Sequence, residues 1–534
     1  MHLLLALLSC TQDPTPAETR PAAPEVQSPD TRLKRLTDAQ YRNVMRDLFG
    51  AEVVVPSSLD PDQRIEGLYA VGASYTTISS YGIEKYESAA RSIAGQVMDS
   101  ESLKAAWVPC TPVDVRDDDC ASQAIAALGR KAWRRPLSAE ELELLVLVAA
   151  EAGLVLDDFH EGLEVAFSAL LMSPYLLYRV ELGDGERFDD FELASRLSFF
   201  LWNTAPDEEL LAAAEAGELS EEAGYSAQVD RLLADERSRE GLRNFFSEML
   251  QLDRLDSLSK DPTVFTYMSD TLGPSAREES LLGIEALVYE DDASYLDLFT
   301  TRRTFLDRTL AALYDVPAPE REGFGEVWLD IADGRRGFLG QASFLALQSH
   351  ATSTSPTARG IFVREVLLCQ VIPDPPADAN TGIPEVSRDA ATMRDRIAIH
   401  LEDPFCASCH VLTDPIGLGF ENFDGIGRWR EVENDVTIDA SGELDGEAFV
   451  DAWQLGELIA AHPETGPCLS RTLLKYATGS LSDELDDSLQ DWHAEGFEGA
   501  GHRVLWLFRD VALSPAFRTP GPVAEDSLSE DTGS

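Results

Sequence analysis

Cys406, Cys409 and His410 form the sequence Cys-Ala-Ser-Cys-His. Cys-x-x-Cys-His is the attachment pattern of c-type haem. Two thiols three residues apart can form thioether bonds to the two vinyl groups of one porphyrin, and the imidazole that follows is then the proximal ligand of the iron. The motif therefore predicts one covalently bound haem c, with His410 as an iron ligand.

The same thiols permit other chemistry. Cys406 and Cys409 could form a disulfide, or they could join Cys369 and Cys468 in a four-thiolate zinc site. The zinc interpretation leaves His410 without a role, and an exported chain favours disulfides over zinc. The alternative to a haem protein is therefore a non-redox structural or binding protein of the cell envelope.

The N-terminus indicates export. Residues 1–10 read MHLLLALLSC, which resembles a bacterial lipoprotein signal, so that cleavage would leave Cys10 as a lipidated N-terminus. Residues 11–31 contain five prolines and almost no large apolar side chain, which predicts an extended tether. We expect a periplasmic or outer-membrane lipoprotein that contacts the membrane only through its lipid.

Charge excludes one class of partner. The chain has 95 Asp and Glu residues against 43 Lys and Arg residues, a formal net charge of −52. Such an acidic excess repels phosphate backbones, so nucleic acid is not an expected partner. A redox partner is expected, but the sequence does not identify it.

Four cysteines remain once Cys10 and the motif are set aside. In an oxidising compartment, Cys110 and Cys120 are candidates for a local disulfide, and Cys369 and Cys468 for one that closes a long loop.

Hydrophobic periodicity is helical along most of the chain, so we predict a mainly α, multidomain protein with little β structure. The best strand candidate is a hairpin within 436–449, with Gly442 in its turn. The predicted divisions are 1–10 (signal), 11–31 (tether), 32–104, 105–155, 156–270 and 271–345 (helical), 346–445 (cytochrome-c-like haem region), 446–517 (C-terminal helical domain) and 518–534 (acidic disordered tail).

Several separated stretches resemble multidomain secreted proteins of planctomycetes and myxobacteria. They are 35–50, 130–142, 191–210, 335–360, 393–410, 413–430 and 468–479. Those proteins join planctomycete-specific domains of unknown function to a cytochrome-c-like segment, and the block at 393–430 is the most specific match. The resemblance implies a redox or haem role without a substrate.

The second axial ligand would determine what a haem does here. The last methionine of the chain is Met393, so no methionine follows His410. His350 is the first candidate for the distal position. His400 is a second, although its place just before the motif favours a supporting role.

Charged residues that follow the motif are further candidates for the haem site. Arg428 and Arg430 flank Trp429, and they could bind the haem propionates or form a surface pair around a buried tryptophan. Glu421 and Asp424 are expected to be surface or capping carboxylates. We predict electron transfer, with a peroxide-reducing haem enzyme or a ligand sensor as the alternative, since the commonest nucleotide-binding and hydrolase motifs are missing from the sequence.

Overall fold

The computed structural model describes residues 20–25, 28–331, 334–373, 385–387, 390–398 and 404–522. Cys10, His400, the signal at 1–10, most of the tether and most of the acidic tail lie outside these residues.

The described chain is mainly helical, which confirms the predicted fold class. The helices are α1 (Asp38–Phe49), α2 (Tyr69–Tyr75), α3 (Ser80–Asp99), α4 (Glu101–Trp107), α5 (Asp118–Ala132), α6 (Ala139–Leu156), α7 (Phe159–Leu171), α8 (Pro174–Leu177), α9 (Asp190–Leu201), α10 (Glu208–Glu215), α11 (Glu222–Ala234), α12 (Ser238–Met249), α13 (Leu272–Glu285), α14 (Arg308–Tyr314), α15 (Ala342–Leu347), α16 (Pro356–Phe362), α17 (Met393–Ile397), α18 (Pro404–Leu418), α19 (Ala452–Ala461), α20 (Thr465–Thr478), α21 (Asp487–Gly499), α22 (Val504–Leu513) and α23 (Pro515–Arg518). None of the described helices is both long and apolar enough to cross a membrane.

Local sequence explains where these helices begin. The hydroxyl of Thr37 accepts a hydrogen bond from the backbone N–H of Gln40, and the side-chain oxygen of Gln40 accepts one from the backbone N–H of Thr37. Ser138 and Glu141 form the same reciprocal capping box at the start of α6. Each box satisfies N–H groups that the first turn of a helix leaves without partners.

The described strands are short and form four antiparallel pairs. They are β1 (Lys34–Arg35) with β2 (Tyr178–Arg179), β3 (Arg303–Leu306) with β4 (Gly325–Trp328), β5 (Val432–Glu433) with β6 (Val436–Thr437), and β7 (Gly442–Leu444) with β8 (Glu447–Phe449).

The predicted hairpin at 436–449 is only partly correct. Gly442 is not a turn residue, because it lies in β7 opposite Phe449. The turn is formed by Asp445 and Gly446, with φ angles of 51° and 89°. A two-residue hairpin turn of this kind needs positive φ at both positions, which Asp-Gly provides. A Cβ at residue 442 would lie 2.1 Å from the carbonyl oxygen of Pro415, so glycine there lets β7 pack against α18.

Within the described residues, buried apolar side chains form two large clusters. One contains side chains between Leu36 and Leu177, together with Phe199. The other extends from Leu68 to Phe517 and includes Ile416 of α18. The segment around the Cys-x-x-Cys-His motif therefore shares its apolar core with the C-terminal helices.

Both predicted disulfides are present. Cys110 is bonded to Cys120 at the start of α5, and Cys369 is bonded to Cys468 of α20. Because Cys369 and Cys468 are joined to each other, the four-thiolate zinc interpretation is wrong. Two disulfides indicate an oxidising environment outside the cytoplasm.

Candidate cofactor-attachment site

The two thiols of the motif lie near the start of α18. Cys406 and Cys409 are three residues apart, a spacing that puts side chains on one face of a helix. Both are free and half-buried, in contrast to the four disulfide-bonded cysteines. Thus the structure does not contain the alternative disulfide between them, and the two sulfurs remain accessible to a ligand.

The imidazole of His410 is held by a buried carboxylate on its own helix. Nδ1 of His410 is 2.9 Å from Oδ2 of Asp414, one helical turn later. The side chain of Asp414 is 2% exposed, and that of His410 is 22% exposed. An ionised carboxylate can only accept a hydrogen bond, so this contact matches the Nδ1–H tautomer of the imidazole, the tautomer whose Nε2 can bind a metal.

A neighbouring helix orients this carboxylate. The hydroxyl of Thr357 in α16 donates to Oδ1 of Asp414 at 2.7 Å and lies 3.5 Å from Nδ1 of His410. A histidine that binds a metal commonly donates its other N–H to a carboxylate, which fixes the orientation of the ring. Thr357, Asp414 and His410 form such an arrangement.

Two glycines allow α16 and α18 to approach closely enough for this contact. A Cβ at Gly360 would lie 2.0 Å from the carbonyl oxygen of Thr413, and one at Gly417 would lie 1.8 Å from that of Pro356. Any side chain at either position would separate the helices. The glycines therefore bring Thr357 to the carboxylate of Asp414.

A buried ion pair anchors the chain that follows α18. The guanidinium of Arg359 is fully buried and lies 3.3 Å from the carboxylate of Glu421. It also donates to the carbonyl oxygens of Phe420, Phe423 and Asp424, at 2.9, 3.3 and 2.9 Å. Burial lowers the pKa of Arg359 to about 10. Arg359 thus fixes the path of the backbone from α18 towards residue 424.

Glu421 is the other half of this pair. It is 2% exposed and accepts hydrogen bonds from Thr354 at 2.9 Å and Arg430 at 2.8 Å. Burial raises the pKa of Glu421, while the guanidinium of Arg359 acts in the opposite direction. Our expectation of a surface or capping carboxylate is wrong for Glu421, because three side chains enclose it. Asp424 does cap a turn, since its Oδ1 accepts the backbone N–H of Arg428 at 2.8 Å.

The two arginines predicted to bind propionates both have protein partners. Arg430 is bound to Glu421, and the guanidinium carbon of Arg428 lies 4.1 Å from the ring centre of Tyr267. Trp429 between them is 36% exposed and packs against Phe423, with ring centres 5.1 Å apart. Their role towards propionates stays a prediction.

His350 lies in an exposed loop between α15 and α16. Its backbone N–H donates to the carbonyl oxygen of Ser353 at 2.9 Å, and Nζ of Lys260 bonds to the carbonyl oxygens of Ser349 and His350. Partial burial and the nearby Lys260 lower the pKa of the His350 imidazole. The neutral imidazole is the form that binds metals. Distal ligation by His350 stays a prediction.

Sequence patterns indicate no site role for Thr357, Asp414 or Arg359, and the turn expected from Asp414, Pro415 and Gly417 is part of α18 instead. A signal was available for Asp414 alone, because it follows His410 by four residues in a helical pattern.

Family models match four stretches of the chain, each described as a protein of unknown function. They are PSD3 (DUF1587) at 34–99, PSD5 (DUF1595) at 120–181, PSD4 (DUF1592) at 188–316 and PSCyt3 (DUF1588) at 335–433. The chain is a multidomain protein of planctomycete type. The stretch matched by PSCyt3 contains Thr357, Arg359 and the whole of α18. Neither the curated proteins nor the solved structures include a match to the chain.

Proposed function

We propose that this chain is an exported c-type haem protein that transfers electrons at the cell envelope. One haem would be attached through Cys406 and Cys409, with His410 as the proximal ligand. The observation that carries the proposal is the pairing of two free, half-buried thiols with an imidazole whose Nδ1 is held by buried Asp414.

The residues present fit this cofactor. Thioether formation uses reduced thiols, and Cys406 and Cys409 are free while the other four described cysteines are bonded in pairs. Iron ligation uses a neutral imidazole, and the hydrogen bond to Asp414 directs Nε2 of His410 to that role. When bound, a haem supplies one-electron chemistry that side chains do not provide.

Location supports the same proposal. The two disulfides indicate an oxidising compartment, and a covalently attached haem is expected in an exported protein. A lipid on Cys10 would hold the protein at the envelope.

The proposal is tested by absorption spectroscopy of protein made in cells competent for cytochrome c maturation. We expect a Soret band that stays with the protein after acid-acetone extraction. Cys406→Ser with Cys409→Ser should abolish the retained band. Cys110→Ser with Cys120→Ser is the matched control, since it removes two cysteines remote from α18 in sequence and should leave the band unchanged. A chain that lacks the band, or that loses it on extraction, would contradict the proposal.

A further inference from the structure

We infer that Asp414 is a positioning residue that sets the electronic character of the metal-binding nitrogen of His410. The inference rests on the proposed function and deepens it: a haem held at His410 would have a low reduction potential because its proximal imidazole is bound to a buried carboxylate.

The carboxylate of this hydrogen bond is shielded from water. The Asp414 side chain is 2% exposed, and its Oδ2 lies 2.9 Å from Nδ1 of His410. Its other oxygen, Oδ1, accepts from Thr357 at 2.7 Å and lies 3.3 Å from the hydroxyl of Thr413. Because both hydroxyls contact Oδ1, Oδ2 is directed at the imidazole.

A buried negative charge next to Nδ1–H makes the imidazole a stronger electron donor at Nε2. Hydrogen bonds from a ligating histidine to a carboxylate raise the basicity of the ligand. The effect is larger in a site of low dielectric constant than in water. A more basic ligand, with a carboxylate behind it, stabilises ferric iron more than ferrous iron, so the reduction potential falls.

The chain contains a matched control for this inference. His493 and Asp510 also form a histidine–aspartate pair, with Nδ1 and Oδ2 2.7 Å apart, but no cysteine adjoins either residue in sequence. Asp510→Asn changes the same chemistry at a place where no cofactor is proposed.

The first experiment needs no cofactor. In the full chain carrying Cys406→Ser and Cys409→Ser, nitrogen chemical shifts of His410 should show the Nδ1–H tautomer. Adding Asp414→Ala should restore the Nε2–H form that isolated imidazoles favour. Finding the Nε2–H form while Asp414 is intact would overturn the inference, whether or not the protein binds haem.

The second experiment is a potentiometric titration of the haem-loaded chain. Asp414→Asn keeps an acceptor oxygen but removes the charge, so the equilibrium constant for reduction should rise at least tenfold, which is about 59 mV for a one-electron couple. Thr357→Val should shift the potential in the same direction by less, and Asp510→Asn should not shift it. An unchanged potential in Asp414→Asn, or an equal shift in Asp510→Asn, would overturn the inference. Failure to attach haem would instead count against the proposed function and leave the tautomer result standing.

Discussion

Two histidine–aspartate pairs lie in different regions of the molecule. In the C-terminal region, His493 of α21 is fully buried, and its Nε2 has no hydrogen-bond partner among the described residues. In the PSCyt3 domain, His410 of α18 is 22% exposed and directly follows a free thiol. The bond to aspartate is nearly the same in both pairs, at 2.7 and 2.9 Å.

The difference shows what turns such a pair into a candidate site. A carboxylate that orients an imidazole has a structural role when the ring is fully buried in the core. It gains chemical value when the second nitrogen can be reached and other ligands lie beside it. In this chain, the pair at His410 differs from the pair at His493 in that two free thiols precede the histidine on the same helix.

The largest expected effect concerns the bond between these two regions. Replacing Cys369 and Cys468 with alanine removes a cross-link that closes a 99-residue separation. The free energy of unfolding should fall by about 4–5 kcal/mol. The disulfide stabilises the protein by reducing the entropy of the unfolded chain, and this reduction is greatest when the closed loop is long. Denaturant unfolding measures this loss.

Removal of the Cys110–Cys120 bond is the control for that prediction. It spans 10 residues, and its loss should cost about 2–3 kcal/mol. Equal losses for the two pairs would show that loop length does not control the effect.

The next effect concerns the buried ion pair that holds the chain after α18. Arg359→Met leaves Glu421 buried with one fewer cationic partner and removes the bonds to three backbone carbonyls. We expect a loss of about 3–5 kcal/mol in the free energy of unfolding, because removing one partner of a buried ion pair leaves the other charge buried and uncompensated. Arg116→Met, which breaks an exposed pair with Asp118, should leave the free energy of unfolding almost unchanged. Similar losses in the two variants would contradict a special role for Arg359.

Replacing the aspartate of each histidine–aspartate pair should reduce stability by different amounts. Asp510→Asn weakens its bonds to His493 and Arg20 in the C-terminal region, and it should reduce the free energy of unfolding by about 2–3 kcal/mol. Asp414→Asn should cost less, about 1–2 kcal/mol, because the ring of His410 is partly exposed. Denaturant unfolding compares them, and the reverse order would contradict this distinction between the two pairs.

A separate effect is a dependence of stability on pH. Glu279 is fully buried and accepts hydrogen bonds from Thr304 and Tyr314, and burial raises its pKa to about 7. An unfolded chain ionises the same group near pH 4.3. The folded state therefore binds the proton more tightly, so stability should fall by about 3 kcal/mol as pH rises from about 4.3 to 7.

Glu279→Gln tests that assignment, because glutamine keeps a hydrogen-bonding side chain but does not titrate. The loss of stability between pH 5 and pH 8 should be smaller in this variant, as measured by denaturant unfolding at both values. A pH dependence identical to that of the unmodified protein would assign the effect to other groups.

The sequence was sufficient for features that depend on local pattern. It predicted the mainly helical fold and both disulfides. Capping residues and cysteine pairs act through nearby neighbours or through compartment chemistry, so they can be recognised without coordinates.

Features that depend on packing could not be predicted in this way. The contact of Thr357 with Asp414 exists because glycines at 360 and 417 let two helices approach, and the sequence does not show which helices meet. Glu421 was assigned to the surface because a lone acidic residue gives no sign of the arginines that will surround it. Its partner Arg359 is 62 positions earlier in the chain.

The proposed function requires that Cys406 and Cys409 hold one haem covalently. The most direct measurement is the intact mass of the denatured protein, purified from cells competent for cytochrome c maturation. We predict that the mass exceeds that of the polypeptide by one haem, and that Cys406→Ser with Cys409→Ser removes this excess. A polypeptide mass without the added haem, in cells that mature a known c-type cytochrome in parallel, would contradict the claim.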